Sequence, residues 1–551
     1  MAESSTRSSP DRGAGTVTSA VSRPSRVVPR PLAELAQSIG GRLTGESVSV
    51  TGISSNSTLA EPGDLFAALP GASGHGARFV SEARASGAVA VLTDRAGEAA
   101  ITGLPLIVVD DPRGILGRIS ADIYGHPSRA LPVFGVTGTS GKTTTTFLVR
   151  AGLSAAGMSS GLIGTVGVFV GDEVLKTPFT TPEAPQLQAL LALMVERGMR
   201  FVGMEVSSHA LRMGRVDGVD FEVGAFTNLS QDHLDFHRDM EDYFAAKSLL
   251  FDGRAKHEIV VTDDEWGRRL VQSRSTASTG RTITVATGKQ ASWTASSIEF
   301  DRYGGSSFTV TGPAGTFPAG CRIPGAYNVA NALLALAILA ELGLDPRASA
   351  SAVAQAQVPG RMERVDGDQP FLAVVDYSHK PAGVTGALQA LRPLTAEKLI
   401  IVLGCGGDRD RGKRPVMGEV AARQADVLIV TDDNPRSEDP AAIRAAMLQG
   451  ARAVPEAESA VILEVGDRRS AIEAAIGRAR PGDTVLVAGK GHETGQLIGD
   501  DMLPFDDVTV VREALLSQGF SVAAAVIETD GPNEHAGSGP ASSVAPGVVD
   551  R

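Results

Sequence analysis

The sequence predicts an α/β protein of three domains, each a mostly parallel sheet covered by helices. Three observations carry that expectation. Short aliphatic and β-branched runs recur along the 551 residues with helical stretches between them, the alternation that builds parallel sheets. The length exceeds what one hydrophobic core holds, since domains centre on roughly 100–150 residues. Two proline-marked breaks, His126-Pro127-Ser128-Arg129 and Val358-Pro359-Gly360-Arg361, divide the runs into groups. The expected plan is a tail over 1–30, a first domain over 31–128, a central domain over 129–357, a third over 358–520 and a tail over 521–551.

Each element has its own reason. The first thirty or so residues are rich in Ser, Arg, Pro and Gly and lack the apolar core of a secretory signal, so they read as disordered. The stretch from about Val526 to Arg551 has the same character. Leu106–Val109 is the clearest strand of the first group. Leu131–Val136, Phe201–Val206, Val223–Thr227 and Ile259–Thr262 follow in the second, then Leu372–Asp376, Leu399–Leu403, Val427–Thr431 and Val485–Ala488 in the third. Val329–Leu344, interrupted by Asn331 and Glu341, is too short to span a membrane and reads as a buried helix. A net charge of −12 disfavours nucleic acid as a partner. The two cysteines, Cys321 and Cys405, form no disulfide framework, which suits a reducing cytoplasm. A monomer without membrane attachment is expected.

The strongest motif follows Leu131–Val136: Gly138-Thr139-Ser140-Gly141-Lys142-Thr143-Thr144, leading into a helix. Glycines let backbone N–H groups close around phosphate oxygens, and the helix N-terminus adds its dipole. Lys142 would neutralise the β/γ-phosphates of a nucleotide and the Thr143 hydroxyl would reach Mg²⁺. Five residues separate Gly135 from Gly141, one more than the standard loop. Glu205 ends the run Phe201–Val206, where a carboxylate suits a Mg²⁺ ligand or simply faces water. His233 lies in a polar run after Val223–Thr227 and could ligate metal or donate to phosphate. Lys247 sits among Met240, Tyr243, Phe244, Leu250 and Phe251 at helical spacing, on an apolar face. A snorkelling lysine explains that position. So does a lysine held neutral, able to take up CO₂ as a carbamate and become an anionic ligand.

These motifs resemble the Mur ligase family, whose loop carries the same displaced glycine, with Asn usual where this chain has Ser140. The likeness runs from about Pro31 to Gln518. Thr180-Thr181-Pro182-Glu183 and Glu205-Val206-Ser207-Ser208-His209 are similar to the family's MurE branch. Pro324-Gly325-Ala326-Tyr327-Asn328, Gly360-Arg361-Met362-Glu363 and Asp376-Tyr377-Ser378-His379 follow in the family order. The resemblance implies a central P-loop-type sheet, a Rossmann-like third domain and a smaller UDP-binding first domain. It implies an ATP-dependent ligase joining an amino acid to UDP-N-acetylmuramoyl-L-Ala-D-Glu through an acyl phosphate, for peptidoglycan synthesis. Lys142, Thr143, Glu205, His233 and carbamylated Lys247 would hold ATP and Mg²⁺. Asn328, Arg361, Asp376 and His379 would reach the nucleotide from the domain junction. Thr180, Thr181, Ser207 and Arg215 would hold the muramoyl-peptide arm. In the first domain Asn56-Ser57-Thr58 replaces the family's Asp-Ser-Arg element, so only Ser57 carries over.

The third domain bears on which amino acid is added. Meso-diaminopimelate differs from lysine by one carboxylate, which a guanidinium fork can clasp. Arg409 and Arg436 supply such forks, the latter within Asp433-Asn434-Pro435-Arg436, a sequence that marks the diaminopimelate-adding type in this family. Glu493, after Gly489, would take the distal ammonium. Three rivals remain: a folylpolyglutamate synthetase, an ATP-hydrolysing motor, and a nucleotide-binding module without catalysis.

Overall fold

The computed structural model describes residues 23–71, 74–175, 177, 179–234, 236–274 and 281–522. The β-branched runs form the centres of three sheets, because strands buried on both faces need continuous apolar sequence. The first sheet has the order Arg42–Thr44, Leu106–Val108, Ala90–Thr93, Asp64–Ala67, Gly52–Ser54, parallel except at the first pair.

The central sheet is wide. Its eleven strands run Glu173–Leu175, Val168–Val170, Ser160–Ile163, Phe201–Glu205, Val133–Thr137, Phe221–Phe226, Ala255–Val261, Arg281–Thr287, Trp293–Phe300, Ser306–Gly312 and Gly315–Cys321. The stretch from Ser160–Ile163 to Trp293–Phe300 is parallel, and two antiparallel strands close each end. Val136 pairs with Glu205 and Thr137 with Phe226, so three strands deliver the phosphate loop, Glu205 and Thr227 to one sheet edge. Helix Tyr327–Glu341, expected from its apolar run, packs its buried Leu, Ile and Ala side chains on the helix Lys142–Ala155 that follows the loop. Each large aliphatic side chain so buried contributes about 1.5–3 kcal/mol.

The third sheet runs Glu363–Arg364, Leu372–Asp376, Thr484–Ala488, Leu399–Leu403, Val427–Val430, Val461–Glu464, parallel after the first pair. Ala488 is in register with both Asp376 and Leu403, so the loops after these strands share one edge. Among the described residues no helix is long and apolar enough to cross a membrane. The chain is packed already at Arg23, ahead of the expected start at Pro31, because the Arg23 guanidinium clasps Asp64 at 2.6 and 2.9 Å and Ser25 binds Glu196. At the other end Ser521 bonds Asp368 and Val522 bridges to Gly367. Most of the two expected tails, 1–22 and 523–551, lies outside the described residues.

Candidate active site

The phosphate loop is held from below by the neighbouring strand end. Asn228 accepts from the backbone N–H of Thr139 through its carbonyl and from that of Ser140 through its side chain, and Thr227 Oγ1 donates to Ser140 O at 2.6 Å. Gly138 has φ +145°, and a Cβ there would lie 1.8 Å from Thr227 Oγ1, so glycine is demanded twice over. At Gly141, φ +88°, a Cβ would strike Asn331. Asn328, expected to reach the nucleotide, is buried beside the loop. Its amide donates to Pro324 O and accepts from Asn331, so in this structure it braces the loop through Asn331. Lys142 Nζ folds back onto the carbonyls of Gly138 and Thr139, both at 2.8 Å. Burial holds its pKa below the usual lysine value, with Glu205 opposing and Arg361 reinforcing. Thr143 and Thr144 are buried at the first turn of the helix.

Lys247 reaches the same loop from the far side. Its helix, Met240–Ser248, starts at Asp239, whose carboxylate accepts from Asp242 N, a cap worth about 1 kcal/mol. The face carrying Tyr243, Phe244 and Lys247 is buried, as the spacing predicts. Lys247 Nζ donates to Gly138 O at 2.8 Å and lies 4.7 Å from the Tyr243 ring centroid. Burial, helped by the Lys142 cation, pushes its pKa well below the lysine norm. Tyr243 in turn hydrogen-bonds Thr139 Oγ1 at 3.2 Å. His233 takes a left-handed φ of +54° and stands edge-on to His209, with ring centroids 5.0 Å apart. Burial first, then the cations of Lys380 and Lys142, lower its pKa to about 4 against the pull of Asp232.

Glu205 is buried at its strand end, where Thr165 donates to it from both backbone N–H, 2.8 Å, and hydroxyl, 3.1 Å. The four residues expected to hold the substrate arm gather beside it. Thr181 Oγ1 donates to Glu205 O, accepts from Ser207 N and touches Ser207 Oγ; Arg215 Nη1 donates to Thr181 O; and Thr180 meets Thr165.

The third domain meets this edge directly. Lys380 Nζ is 2.7 Å from Asp232 Oδ1, and Asp376 accepts from Met362 N and from Ser378, which orders the segment leading to His379. Arg361 lies over the Tyr377 ring at 4.5 Å, and that ring also contacts His379 and His492. Burial and the Arg361 cation hold His492 near a pKa of about 4; burial also lowers His379. An unfolded histidine protonates near 6.5, so the unfolded chain binds the proton first and stability falls as pH drops from about 6.5 toward 4. The thermal midpoint is expected to fall across that window, and less steeply in His492→Gln. Parallel slopes would mean that the groups lie elsewhere.

The loop Thr431–Arg436 forms the other wall. Arg436, at φ +52°, pairs its backbone with the hairpin strand Gly495–Ile498, and its Nη1 donates to Gly407 O at 2.8 Å. No carboxylate lies within ion-pair distance of it among the described residues. Asn434 Nδ2 donates to Glu493 Oε2 at 2.8 Å, and Asp433 lies against the Gly489 turn, where a Cβ would come 2.7 Å from its Oδ2. Pro435 O lies against Gly407. Arg409, expected in this pocket, is exposed, and its Nη1 donates to Asp408 O. Arg414, by contrast, is buried and clamped on Glu438, whose pKa it pulls down to about 2. Sequence reading overlooked Arg414 and the fully buried Lys490, because nothing local separates a buried charge from a surface one.

In the first domain a cavity of about 250 Å³ opens toward helix Ala184–Glu196, lined by Arg23, Asn56, Thr58, Tyr124 and Gln186 among others. Ser57 does not line it: its hydroxyl donates to Glu82 at 2.5 Å. The residues on either side of Ser57 face the space, and the cation comes from Arg23 in the segment expected to be a tail.

Family models cover most of the chain in the order of the three sheets: Mur ligase family, catalytic domain, over residues 49–124; Mur ligase middle domain over 136–339; and Mur ligase, glutamate ligase domain, over 360–491. The chain is 54% identical over 498 residues to a UDP-N-acetylmuramoyl-L-alanyl-D-glutamate–2,6-diaminopimelate ligase of Streptomyces avermitilis, covering 90% of this chain and 98% of that one. It belongs to the Mur ligase family. A protein of the same name from Corynebacterium efficiens is 52% identical, covering 88% of this chain and 94% of its own. A solved structure of a 2,6-diaminopimelate ligase aligns with this Mur ligase at 32% identity and a TM-score of 0.63, over 86% of this chain and 96% of the other.

The edge fits a magnesium nucleotide in donor chemistry. Thr143 and Glu205 offer the oxygen ligands that Mg²⁺ prefers. Among the described residues of this Mur ligase no three His, Cys, Asp or Glu side chains converge on a metal position.

Proposed function

We propose that the chain is the ATP-dependent ligase that adds meso-2,6-diaminopimelate to the D-Glu side-chain carboxylate of UDP-N-acetylmuramoyl-L-Ala-D-Glu. The observation that carries this reading is Arg436, a guanidinium with no carboxylate partner among the described residues, in a chain 54% identical to a ligase of that name. The work divides as the three sheets do: UDP in the first domain (31–128), ATP in the second (129–357) and amino acid in the third (358–520). The reading includes a cytoplasmic monomer that supplies cell-wall growth, shape and division; its two free, buried cysteines and its nucleotide substrates support a cytoplasmic setting.

The D-Glu carboxylate attacks the γ-phosphorus, ADP leaves, and an acyl phosphate forms. Lys142 and the N–H groups at the start of helix Lys142–Ala155 offset the charge on the transferring group. To do so Lys142 exchanges the carbonyls of Gly138 and Thr139 for phosphate oxygens. Thr180, Thr181, Ser207 and Arg215 hold the acceptor arm beside Glu205. Asp376, His379 and Arg361 hold the nucleotide from the third domain, with Gly138, Thr139, Ser140, Gly141 and Thr144 shaping its cradle. The unprotonated diaminopimelate amine then attacks the acyl carbon, the C–N bond forms and phosphate leaves. Positioning does most of this work, and water must be kept from the acyl phosphate.

Mg²⁺, held by Thr143, Glu205, His233 and the carbamate of Lys247, would neutralise phosphate charge when bound. Burial, which lowers the Lys247 pKa, favours the unprotonated amine that adds CO₂: the Nζ–C bond forms, one C=O of CO₂ opens to a carboxylate, and a proton leaves to water. Lys247→Ala is expected to lower kcat by at least about a hundredfold, as loss of a charge-stabilising group does. ¹³C-bicarbonate should give a carbamate resonance that the variant lacks. An unlabelled wild type would rule out the modification.

The function is tested by phosphate release with the dipeptide nucleotide and either diaminopimelate, L-lysine or no amino acid. Release with diaminopimelate alone, with a matching mass gain, is expected. Release without any amino acid would make the chain a hydrolase, and release with lysine would overturn the reading of Arg436.

A further inference from the structure

Beneath the loop carrying Arg436, Lys490 is fully buried and makes two contacts: Nζ donates to Asn434 Oδ1 at 3.0 Å and to Glu493 Oε2 at 3.1 Å. Asn434 Oδ1 also accepts from Leu497 N at 2.9 Å, which fixes the amide so that Nδ2 points to Glu493 Oε2. One carboxylate oxygen of Glu493 is therefore held by two donors, while no described residue donates to its Oε1. The glycines on either side leave Lys490 little room to move. A Cβ at Gly489 would meet Asp433, and one at Gly491 would meet Gly360 O and Tyr377. The charged side chains of this loop and of the Lys490–Glu493 turn are Asp432, Asp433, Arg436, Lys490 and Glu493; Asp432 is paired to Arg444 and the adjoining Arg468 to Asp507 at 2.7 Å, which leaves Asp433, Arg436, Lys490 and Glu493, with Arg361 beyond them on the Tyr377 ring.

From this we infer that Lys490 is the residue that sets the charge of the amino-acid pocket, and with it the choice between diaminopimelate and lysine. The inference rests on the proposed function. Two cations, Arg436 and Lys490, balance two anions, Asp433 and Glu493. A balanced pocket suits the distal end of diaminopimelate, which carries one ammonium and one carboxylate. Without the Lys490 charge the pocket is left with an excess of one negative charge, which suits the lone ammonium of lysine. Fully buried, Lys490 has no surface to offer either substrate. It acts as a positioning residue, by holding Glu493 and the Asn434 amide and by cancelling one charge.

The test compares kcat/KM for diaminopimelate and L-lysine in wild type, Lys490→Met and the charge-balanced double variant Lys490→Met/Glu493→Gln. In Lys490→Met the ratio is expected to shift toward lysine by at least about tenfold, the effect of one unbalanced polar contact, with KM for ATP unchanged. In the double variant the ratio is expected to return toward wild type, as two coupled sites require. Equal loss for both amino acids in Lys490→Met would reduce Lys490 to a structural prop and overturn the inference. Should the single variant fail to fold, the double variant decides: a ratio shifted as far toward lysine as unbalanced charge predicts, despite restored balance, overturns it. A wild type that ligates neither amino acid sinks the proposed function as well, whereas normal diaminopimelate ligation with an unmoved ratio sinks this inference alone.

Discussion

Lys142→Ala is expected to lower kcat/KM for ATP-driven ligation by at least about a hundredfold to a thousandfold, the scale of losing one donor aimed at developing charge. The fold should hardly notice. Alanine is the strongest helix former, and position 142 opens the helix Lys142–Ala155. The lysine itself stabilises little, because burial pulls its pKa down. With the folded pKa below the unfolded value, the protonated side chain costs stability at neutral pH, and that cost fades as pH rises toward 10.5. The thermal midpoint of Lys142→Ala should therefore be unchanged or slightly higher at pH 7 while activity collapses. Phosphate release and a melting curve on the same preparation check both halves. Activity within about tenfold of wild type would remove Lys142 from the phosphoryl transfer.

Arg436→Ala is expected to raise KM for diaminopimelate by about a hundredfold or more, since a buried carboxylate left without its charged partner loses roughly 2–5 kcal/mol. The pocket should survive the change. Arg436 is fixed through its backbone: its N–H donates to Leu497 O at 3.0 Å and its carbonyl accepts from Gly499 N at 2.8 Å, and neither bond needs the side chain. Arg436→Lys keeps the charge but not the planar fork, so it should fall between. KM for ATP and for the nucleotide dipeptide should stay put. A uniform rise in all three would mean that the loop has moved, and an unchanged KM for diaminopimelate would place its carboxylate elsewhere.

Much of the fold was legible because strands buried on both faces have to be continuously apolar. Leu372–Asp376 and Leu399–Leu403 occur as expected, and the other runs differ only at their ends. The antiparallel flange Trp293–Cys321 was not legible: Ser, Thr and Gly alternate there with few apolar residues, since one face is open to water. In the site, motifs tied to backbone geometry read well. Gly138, Gly141 and Lys142 announce a loop wherever they follow a strand. Contacts that depend on chain path did not. Arg23 reaches Asp64 across forty-one positions, and only the fold brings them together. The bonds of Asn328 to Pro324 and Asn331 could not be read from its motif either. Lys490 and Arg414 look like any surface cation until burial is known.

The breadth of the central sheet has a consequence for solubility. An open sheet ends in two rows of unpaired backbone groups, which invite a second copy to add a strand. Here both rims are blunted. On one side the outermost strand, Glu173–Leu175, is only three residues long and begins with an acid. On the other, Gly315–Cys321 carries Pro318, which removes a donor, and helix Pro346–Gln355 packs against it, with Ala354 O accepting from Arg322 N at 2.9 Å. The molecule thus keeps a wide central sheet without offering it as a template for aggregation.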